Sequence, residues 1–103
     1  MQILLRSHNA RVSEGLREKA EQAISKLARR LRRTVDAHVV FENDGPNRRV
    51  EIVLHAPRHR ALVAEGRARQ YAVALDRAID HLASQTDRAK RPAKERGRRA
   101  ARA

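Results

Sequence analysis

The sequence of 103 residues contains no cysteine and no tryptophan, and its aromatic side chains are limited to Phe41 and Tyr71. Without cysteine, the chain has no disulfides, thiolate nucleophiles or cysteine-ligated zinc sites. Proteins that read single-stranded bases use several exposed rings, so recognition by base stacking is disfavoured. We expect Phe41 to lie in the core and Tyr71 to lie at the junction of a helix and the sheet.

Long apolar segments are also missing. No run approaches the roughly 20 residues that a membrane span requires, and the N-terminal residues MQILLR are too short and too soon charged for a signal peptide. The most basic helix has an alanine-rich apolar stripe without tryptophan, which suits packing on a sheet better than insertion into lipid. We therefore expect a cytoplasmic protein that does not bind membranes.

Catalytic signatures are equally scarce. The chain has no glycine-rich phosphate loop, no paired acids and no serine–histidine–aspartate arrangement, so we expect no enzyme activity, no cofactor and no small-molecule substrate. His55 and His59 are four residues apart, but Pro57 separates them and prevents a shared helical face. We expect no metal site there.

What the sequence has in excess is positive charge. Its 24 Lys and Arg residues outnumber its 12 Asp and Glu residues, which gives a formal net charge of +12. Such a chain is attracted to polyanions, first nucleic acid and then anionic membranes. Arginine greatly outnumbers lysine, and its planar guanidinium suits phosphate. A GC-rich genome would produce the same preference for arginine, but it would not produce the net charge.

Apolar periodicity predicts six elements of secondary structure. Residues 2–8 predict a buried first strand, and three- and four-residue spacings predict helices over 14–33, with Ser13 as N-cap, and over 70–88. Alternating apolar residues predict strands over 34–42, 48–56 and 61–68, with turns at 43–47 and 57–60. The order β-α-β-β-β-α predicts an α+β fold of two layers, in which both helices pack on one face of a four-stranded mixed sheet.

The end of the chain differs in composition from the rest. From Arg88 to Ala103 there are eight Lys or Arg residues, one acid (Glu95) and no apolar side chain larger than alanine. Such a segment cannot bury enough apolar surface to order itself. The sequence therefore predicts a folded domain over 1–90 and a basic disordered tail over 91–103.

Several short stretches, taken in order, resemble one known family. Residues 12–17 (VSEGLR) are similar to its V-T-x-x-L/I-R/K motif, and residues 25–29 (SKLAR) to its K-L-x-R/K motif. Residues 37–40 (AHVV) resemble its x-H-V/I-V/I strand, and residues 62–66 (LVAEG) precede a helix whose AIDHL at 78–82 resembles its A-I-D pattern. The chain thus resembles a short-type ribosome hibernation-promoting factor, related to the ribosome-associated inhibitor.

The resemblance implies the same β-α-β-β-β-α fold and a function in silencing idle ribosomes. It implies binding to ribosomal RNA of the small ribosomal subunit, in the channel used by messenger and transfer RNA, by a protein that we expect to be a monomer when free. Four residues match positions that are usually basic in the family: Lys26, Arg29, Arg67 and Arg88. From charge alone we add five further candidates for RNA binding: Arg30, Arg33, Arg69, Lys90 and Arg91. We expect residues 26–33 to line one side of the site and the remaining candidates to line another.

Two departures from the family pattern weaken the expected contacts of the second helix. Tyr71 and Ala72 stand where the family has a Met-Tyr pair, and His81 and Ser84 stand at usually basic positions. Two other functions stay open: a generic binder of double-stranded RNA or DNA, and a stress-regulated adaptor for another protein. A duplex binder should bind naked duplexes at physiological salt, whereas an adaptor should tolerate the loss of its arginines.

Overall fold

The computed structural model describes residues 2–8, 10–30, 36–55 and 61–90, with side chains as far as residue 87. The predicted element order and the α+β class are confirmed. The elements are β1 (Gln2–His8), α1 (Glu14–Ala28), β2 (Asp36–Asp44), β3 (Asn47–His55), β4 (Leu62–Ala68) and α2 (Tyr71–Lys90). The predicted turn at 57–60 and the predicted tail at 91–103 lie outside the described residues.

The four strands form one mixed sheet in the order β1-β2-β3-β4. As predicted, β1 runs parallel to β2, and β2, β3 and β4 are antiparallel neighbours. The predicted alternation is also confirmed, because Val39, Phe41 and Ile52 are at most 1% exposed and point towards the helices. The opposite side of the sheet, which we call the outer face, carries the alternate residues of each strand.

The first strand differs from the prediction. Residues 2–8 predict a buried strand, yet none of them is buried, and Leu4 is 39% exposed. The physical reason is that β1 lies at the sheet edge opposite β4, whereas α2 packs directly on β4. Ile3 and Leu5 are partly buried against the core, and Leu4 points to the outer face.

Helix α1 begins as predicted but ends earlier. The Ser13 hydroxyl accepts a hydrogen bond from the amide of Leu16 at 3.2 Å, which confirms the N-cap. The helix ends at Ala28, and Arg29 and Arg30 form a turn instead of continuing towards Arg33. A longer helix would set Arg29 four residues from Arg33, a spacing at which like charges destabilise a helix. Residues 31–33 lie outside the described residues.

The connection between β2 and β3 is shorter than the predicted five-residue turn. The strands pair as far as Asp44 and Asn47, so that only Gly45 and Pro46 remain in the turn. Gly45 has a φ of 63°, which a residue without a Cβ adopts without strain. Glycine with positive φ at the first central position, followed by proline, is typical of a type II′ hairpin turn.

Helix α2 packs across β4 and β3, and its buried face differs in part from the predicted stripe. Leu75, Ala78 and Leu82 are buried as predicted, whereas Ala72 is exposed. Ala74 and Thr86 are fully buried although the apolar spacing did not include them. Neither described helix is long and apolar enough to cross a membrane.

The closest approach between helix and sheet occurs at Gly66 in β4. A Cβ at this position would meet the carbonyl oxygen of Ala74 and, at 2.6 Å, the amide nitrogen of Ala78. Both atoms belong to the backbone of α2, so neither can rotate away. Glycine is therefore what allows α2 to lie directly on β4, in agreement with the prediction that β4 carries small residues under a helix.

The same close approach brings three side chains of α2 to the free edge of β4. They follow one another at four-residue intervals, which places them on one face of the helix. Each donates a hydrogen bond to a backbone carbonyl of the strand: Arg77 to Arg67 at 2.5 Å, His81 to Glu65 at 2.7 Å and Gln85 to Val63 at 2.6 Å. They occupy carbonyls that an edge strand otherwise offers to another chain.

We predict that Gly66→Ala destabilises the fold by at least about 2 kcal/mol, because the added methyl group has to push the backbone of α2 away from β4. Gly15→Ala is the matched control, since nothing lies within 4 Å of a Cβ at Gly15 and alanine favours the helix. Urea unfolding followed by circular dichroism measures both changes. Equal stability of the two variants would contradict the close approach.

Candidate nucleic-acid interface

The two helices run parallel, and two ion pairs show it. Lys19 pairs with Asp76 at 2.8 Å, and Arg30 pairs with Asp87 at 3.3 Å. In both pairs the α2 residue lies 57 positions beyond its α1 partner. A constant offset means that the helices advance in the same direction, so their C-terminal ends lie at the same end of the molecule.

This arrangement gathers positive charge at one place. We call it the basic end and define it by Lys26, Arg29 and Arg30 together with the backbone of residues 88–90. All three side chains are exposed. Within the described residues, those of Lys26 and Arg29 make no ion pair or hydrogen bond. The carbonyl ends of two helix dipoles also meet here, and they favour cations over anions.

Where the structure describes the nine predicted RNA-binding residues, their backbone positions divide differently from the two groups expected from the sequence. Residues 88 and 90 were predicted to lie with Arg67 and Arg69, but they follow Asp87 and therefore lie beside the end of α1. The side chains of Arg88 and Lys90 are not described. Arg33 and Arg91 lie outside the described residues.

Arg67 and Arg69 lie instead at the start of α2. They line an open groove of about 540 Å³, which Arg77 also lines and which lies beside Gln70 and the first turn of the helix. No acidic residue occupies that first turn. A 20-residue helix is about 30 Å long, so the far edge of the groove at Gln70 lies about 30 Å from the basic end, and Arg77 lies about 17 Å from residue 88. Arg77 is not among the residues predicted from the sequence, where its position outside the apolar stripe is its only signal.

The outer face between β2 and β4 carries a network of charged side chains centred on Arg49. Arg49 contacts Glu42 at 3.0 Å, Glu51 at 2.5 Å and Glu65 at 3.1 Å. Hydrogen bonding to Glu65 is the largest effect on the guanidinium and raises the pKa of Arg49. The hydrogen bond from Arg49 correspondingly lowers the pKa of Glu65.

This network also includes Arg67. Its Nε lies 2.7 Å from Glu65 and 3.6 Å from Asp44, so carboxylates already surround this predicted RNA-binding residue. Four acids face two arginines across this part of the outer face, which makes it less attractive to phosphate than the basic end. Arg67 can reach RNA only by exchanging its carboxylate partners.

Both aromatic side chains are used within the fold. Phe41 is 1% exposed, as predicted, and its ring meets Tyr71 edge to face with centroids 5.8 Å apart. The Arg48 guanidinium lies 5.7 Å from the centroid of the Tyr71 ring. Burial raises the pKa of Tyr71, whose hydroxyl has no hydrogen-bond partner among the described residues. Tyr71 therefore lies at the junction of helix and sheet.

One group of possible metal ligands occurs among the described residues, and it lies on the outer face. It consists of Asp36, His38 and His55. The pair considered from the sequence was His55 with His59, and His59 lies outside the described residues. His81 is not part of the group, because it binds the edge of β4.

Comparisons with known proteins agree on one family. A family model described as sigma 54 modulation protein / S30EA ribosomal protein matches residues 3–94. A ribosomal subunit interface protein from Coxiella burnetii superimposes with a TM-score of 0.79 at 18% identity, covering 87% of this chain and 98% of that one. The N-terminal domain of Thermus thermophilus Protein Y gives a TM-score of 0.74 at 28% identity, covering 85% and 98%. No curated protein matches the sequence significantly.

The ionised form of Glu65 is stabilised by Arg49, and this predicts a pH dependence. Because the pKa in the folded protein lies below the ordinary 4.5, the stabilisation is complete above about pH 4.5 and is lost as the pH falls through the folded pKa. We expect the free energy of unfolding to fall less between about pH 7 and pH 3 in Glu65→Gln than in the wild type. Glu21→Gln, at an exposed position of α1, is the control and should behave as the wild type. Indistinguishable pH profiles for all three proteins would contradict the role of the network.

Proposed function

Because the chain belongs to the family of sigma 54 modulation proteins and S30EA ribosomal proteins, we propose that it binds the small ribosomal subunit and keeps idle ribosomes inactive. It does so by occupying the channel of messenger and transfer RNA, where its cations contact ribosomal RNA phosphates. The same proposal assigns the protein to the cytoplasm and gives it no catalytic step. Its effect comes from occupying space that translation needs.

The observation that carries this proposal is the basic end. Lys26 and Arg29 are exposed and have no acidic partner among the described residues, and Arg30 has one, Asp87. Each phosphate that such a side chain neutralises releases condensed counterions, which favours binding and makes it sensitive to salt. The backbone of residues 88–90 lies at this same end, and the proposal keeps Arg88, Lys90 and Arg91 as RNA-binding candidates on their charge alone.

The groove at Arg67, Arg69 and Arg77 provides a second contact. It lies about 17 to 30 Å from the basic end along α2. A straight duplex that reaches both places contacts the protein on one side only. A binding site that encloses the protein, such as a channel in a large particle, contacts both at once. This favours an assembled ribosomal subunit over naked duplex RNA.

Recognition is expected to depend on RNA shape and backbone rather than base sequence. Base-reading proteins stack bases on exposed aromatic rings. The two aromatic residues of this chain are used within the fold, because Phe41 lies in the core and Tyr71 lies between Phe41 and Arg48. Phosphate contacts position a protein on RNA without reading its sequence.

The test is sedimentation of the full chain with purified bacterial small subunits over a range of salt concentrations. We expect Arg29→Ala/Arg30→Ala to weaken co-sedimentation and to reduce the slope of log affinity against log salt by roughly two. Arg6→Ala/Arg11→Ala is the matched control, because it removes the same charge from exposed positions outside the basic end and the groove. It should bind nearly as the wild type.

Asp87→Asn and Asp80→Asn extend the same experiment in the opposite direction. Both remove one acid from the exposed side of α2, but only Asp87 pairs with Arg30. We expect tighter binding for Asp87→Asn than for Asp80→Asn. Equal loss of binding to small subunits in Arg29→Ala/Arg30→Ala and in Arg6→Ala/Arg11→Ala would mean that net charge alone determines binding. Failure of the wild type to sediment with subunits, or equal affinity for naked duplex RNA, would refute the proposed function.

A further inference from the structure

The outer face carries a group of possible metal ligands, separate from the basic end and the groove. Asp36 begins β2 and lies directly opposite His55, which ends β3. His38 is two residues further along β2, and side chains two apart on a strand point to the same face. The register of the β2–β3 pair therefore brings one carboxylate and two imidazoles together, although His38 and His55 are 17 residues apart in the sequence.

The distances within this group are those of a site for a metal ion. One ligand atom from each of the three side chains lies within 4.8 Å of the others. His38 Nε2 is 3.8 Å from Asp36 Oδ2, and the two imidazole rings meet edge to face with centroids 5.7 Å apart. Zinc bonds of about 2.0–2.2 Å in a tetrahedral site separate the ligand atoms by about 3.3–3.5 Å. Rotation of partly exposed side chains closes the difference.

The polar atoms of the group are also left without other partners. Asp36 Oδ1 is buried and has no hydrogen-bond partner among the described residues. Within the same residues, no hydrogen bond holds the imidazole of His38 or His55. Buried polar atoms are nearly always paired, so this unpaired carboxylate oxygen beside two imidazoles is available to bind a cation.

We propose that Asp36, His38 and His55 form a surface site for a divalent transition-metal ion of the zinc type. Two imidazoles and a carboxylate suit such ions. They suit Mg²⁺ and Ca²⁺ less well, because those ions take oxygen ligands. The fourth position faces solvent, where water fills it. A bound ion fastens the start of β2 to the end of β3, so it binds the folded chain more tightly than the unfolded chain. The site does not depend on ribosome binding.

The experiment is calorimetric titration of the tag-free, metal-stripped full chain with zinc chloride. We expect saturable binding of one ion by the wild type, and affinities weakened more than tenfold in His38→Ala and His55→Ala. Asp36→Asn, which keeps the size of the side chain, should also weaken binding. His8→Ala is the matched control, because His8 is exposed on β1 and does not belong to the group. It should keep the wild-type affinity.

Thermal unfolding with and without zinc gives a second readout, and the metal-free midpoints show that each variant folds. Zinc should raise the midpoint of the wild type and of His8→Ala, but not those of His38→Ala and His55→Ala. Cobalt binding followed by visible absorption reports the coordination geometry directly. The proposal is overturned if the wild type shows no saturable binding, or if all the variants bind zinc with the affinity of the wild type.

Discussion

The close contact between α2 and β4 at Gly66 is the constraint on which the rest of the structure depends. Because β4 has no side chain at this position, the helix backbone lies on the strand, with Ala74 and Ala78 at the point of contact. The contact fixes the height and the direction of α2. It also brings Arg77 and the two following donors to the carbonyls of the edge strand. Because these carbonyls already accept hydrogen bonds from α2, this edge of β4 is less able to pair with a further strand.

The position of α2 then determines where charge accumulates. Helix α1 packs in the same core through Ala20, Ile24 and Leu27. The exposed pairs Lys19–Asp76 and Arg30–Asp87 show that it runs parallel to α2, so that both helices end at the same place. The outer face takes a different character, because Arg49 is enclosed by three glutamates there. Uneven placement of charge, more than the total of +12, distinguishes a surface suited to RNA from the remainder of the molecule.

The sequence predicts the fold well because local patterns determine it. Alternation gives the strands, three- and four-residue spacing gives the helices, and Ser13 marks the start of α1. Prediction from the sequence fails where the exposure of a residue depends on neighbours that are distant in the sequence. Exposure of β1 follows from its place at the sheet edge opposite the one on which α2 packs, and burial of Ala74 follows from its contact with Gly66 of β4.

The candidate site is predicted only in part, for similar reasons. The density of arginine after Lys26 is visible in the sequence, and so is the basic character of residues 88–91. Because α2 is 20 residues long, residues 88 and 90 lie far from Arg69. Counting charges along the sequence does not reveal this separation. Cross-strand register gives Arg67 its acidic partners, so its pairing cannot be inferred from local spacing. The same register brings His55 to His38, a pair that local spacing does not reveal; the pair considered from the sequence was His55 with His59, where no metal site was expected.

The most direct test of the central claim, that the basic end contacts ribosomal RNA, uses the absence of cysteine. Ser25→Cys, near the end of α1, and Ser7→Cys, exposed on β1, each introduce a unique thiol with little change in size. An iron chelate attached to that thiol generates hydroxyl radicals that cleave nearby RNA when the protein is bound to small subunits. The account predicts strong, localised cleavage of the small-subunit RNA from position 25 and weaker cleavage from position 7. Stronger cleavage from position 7, or none from position 25 with the protein bound, would contradict it.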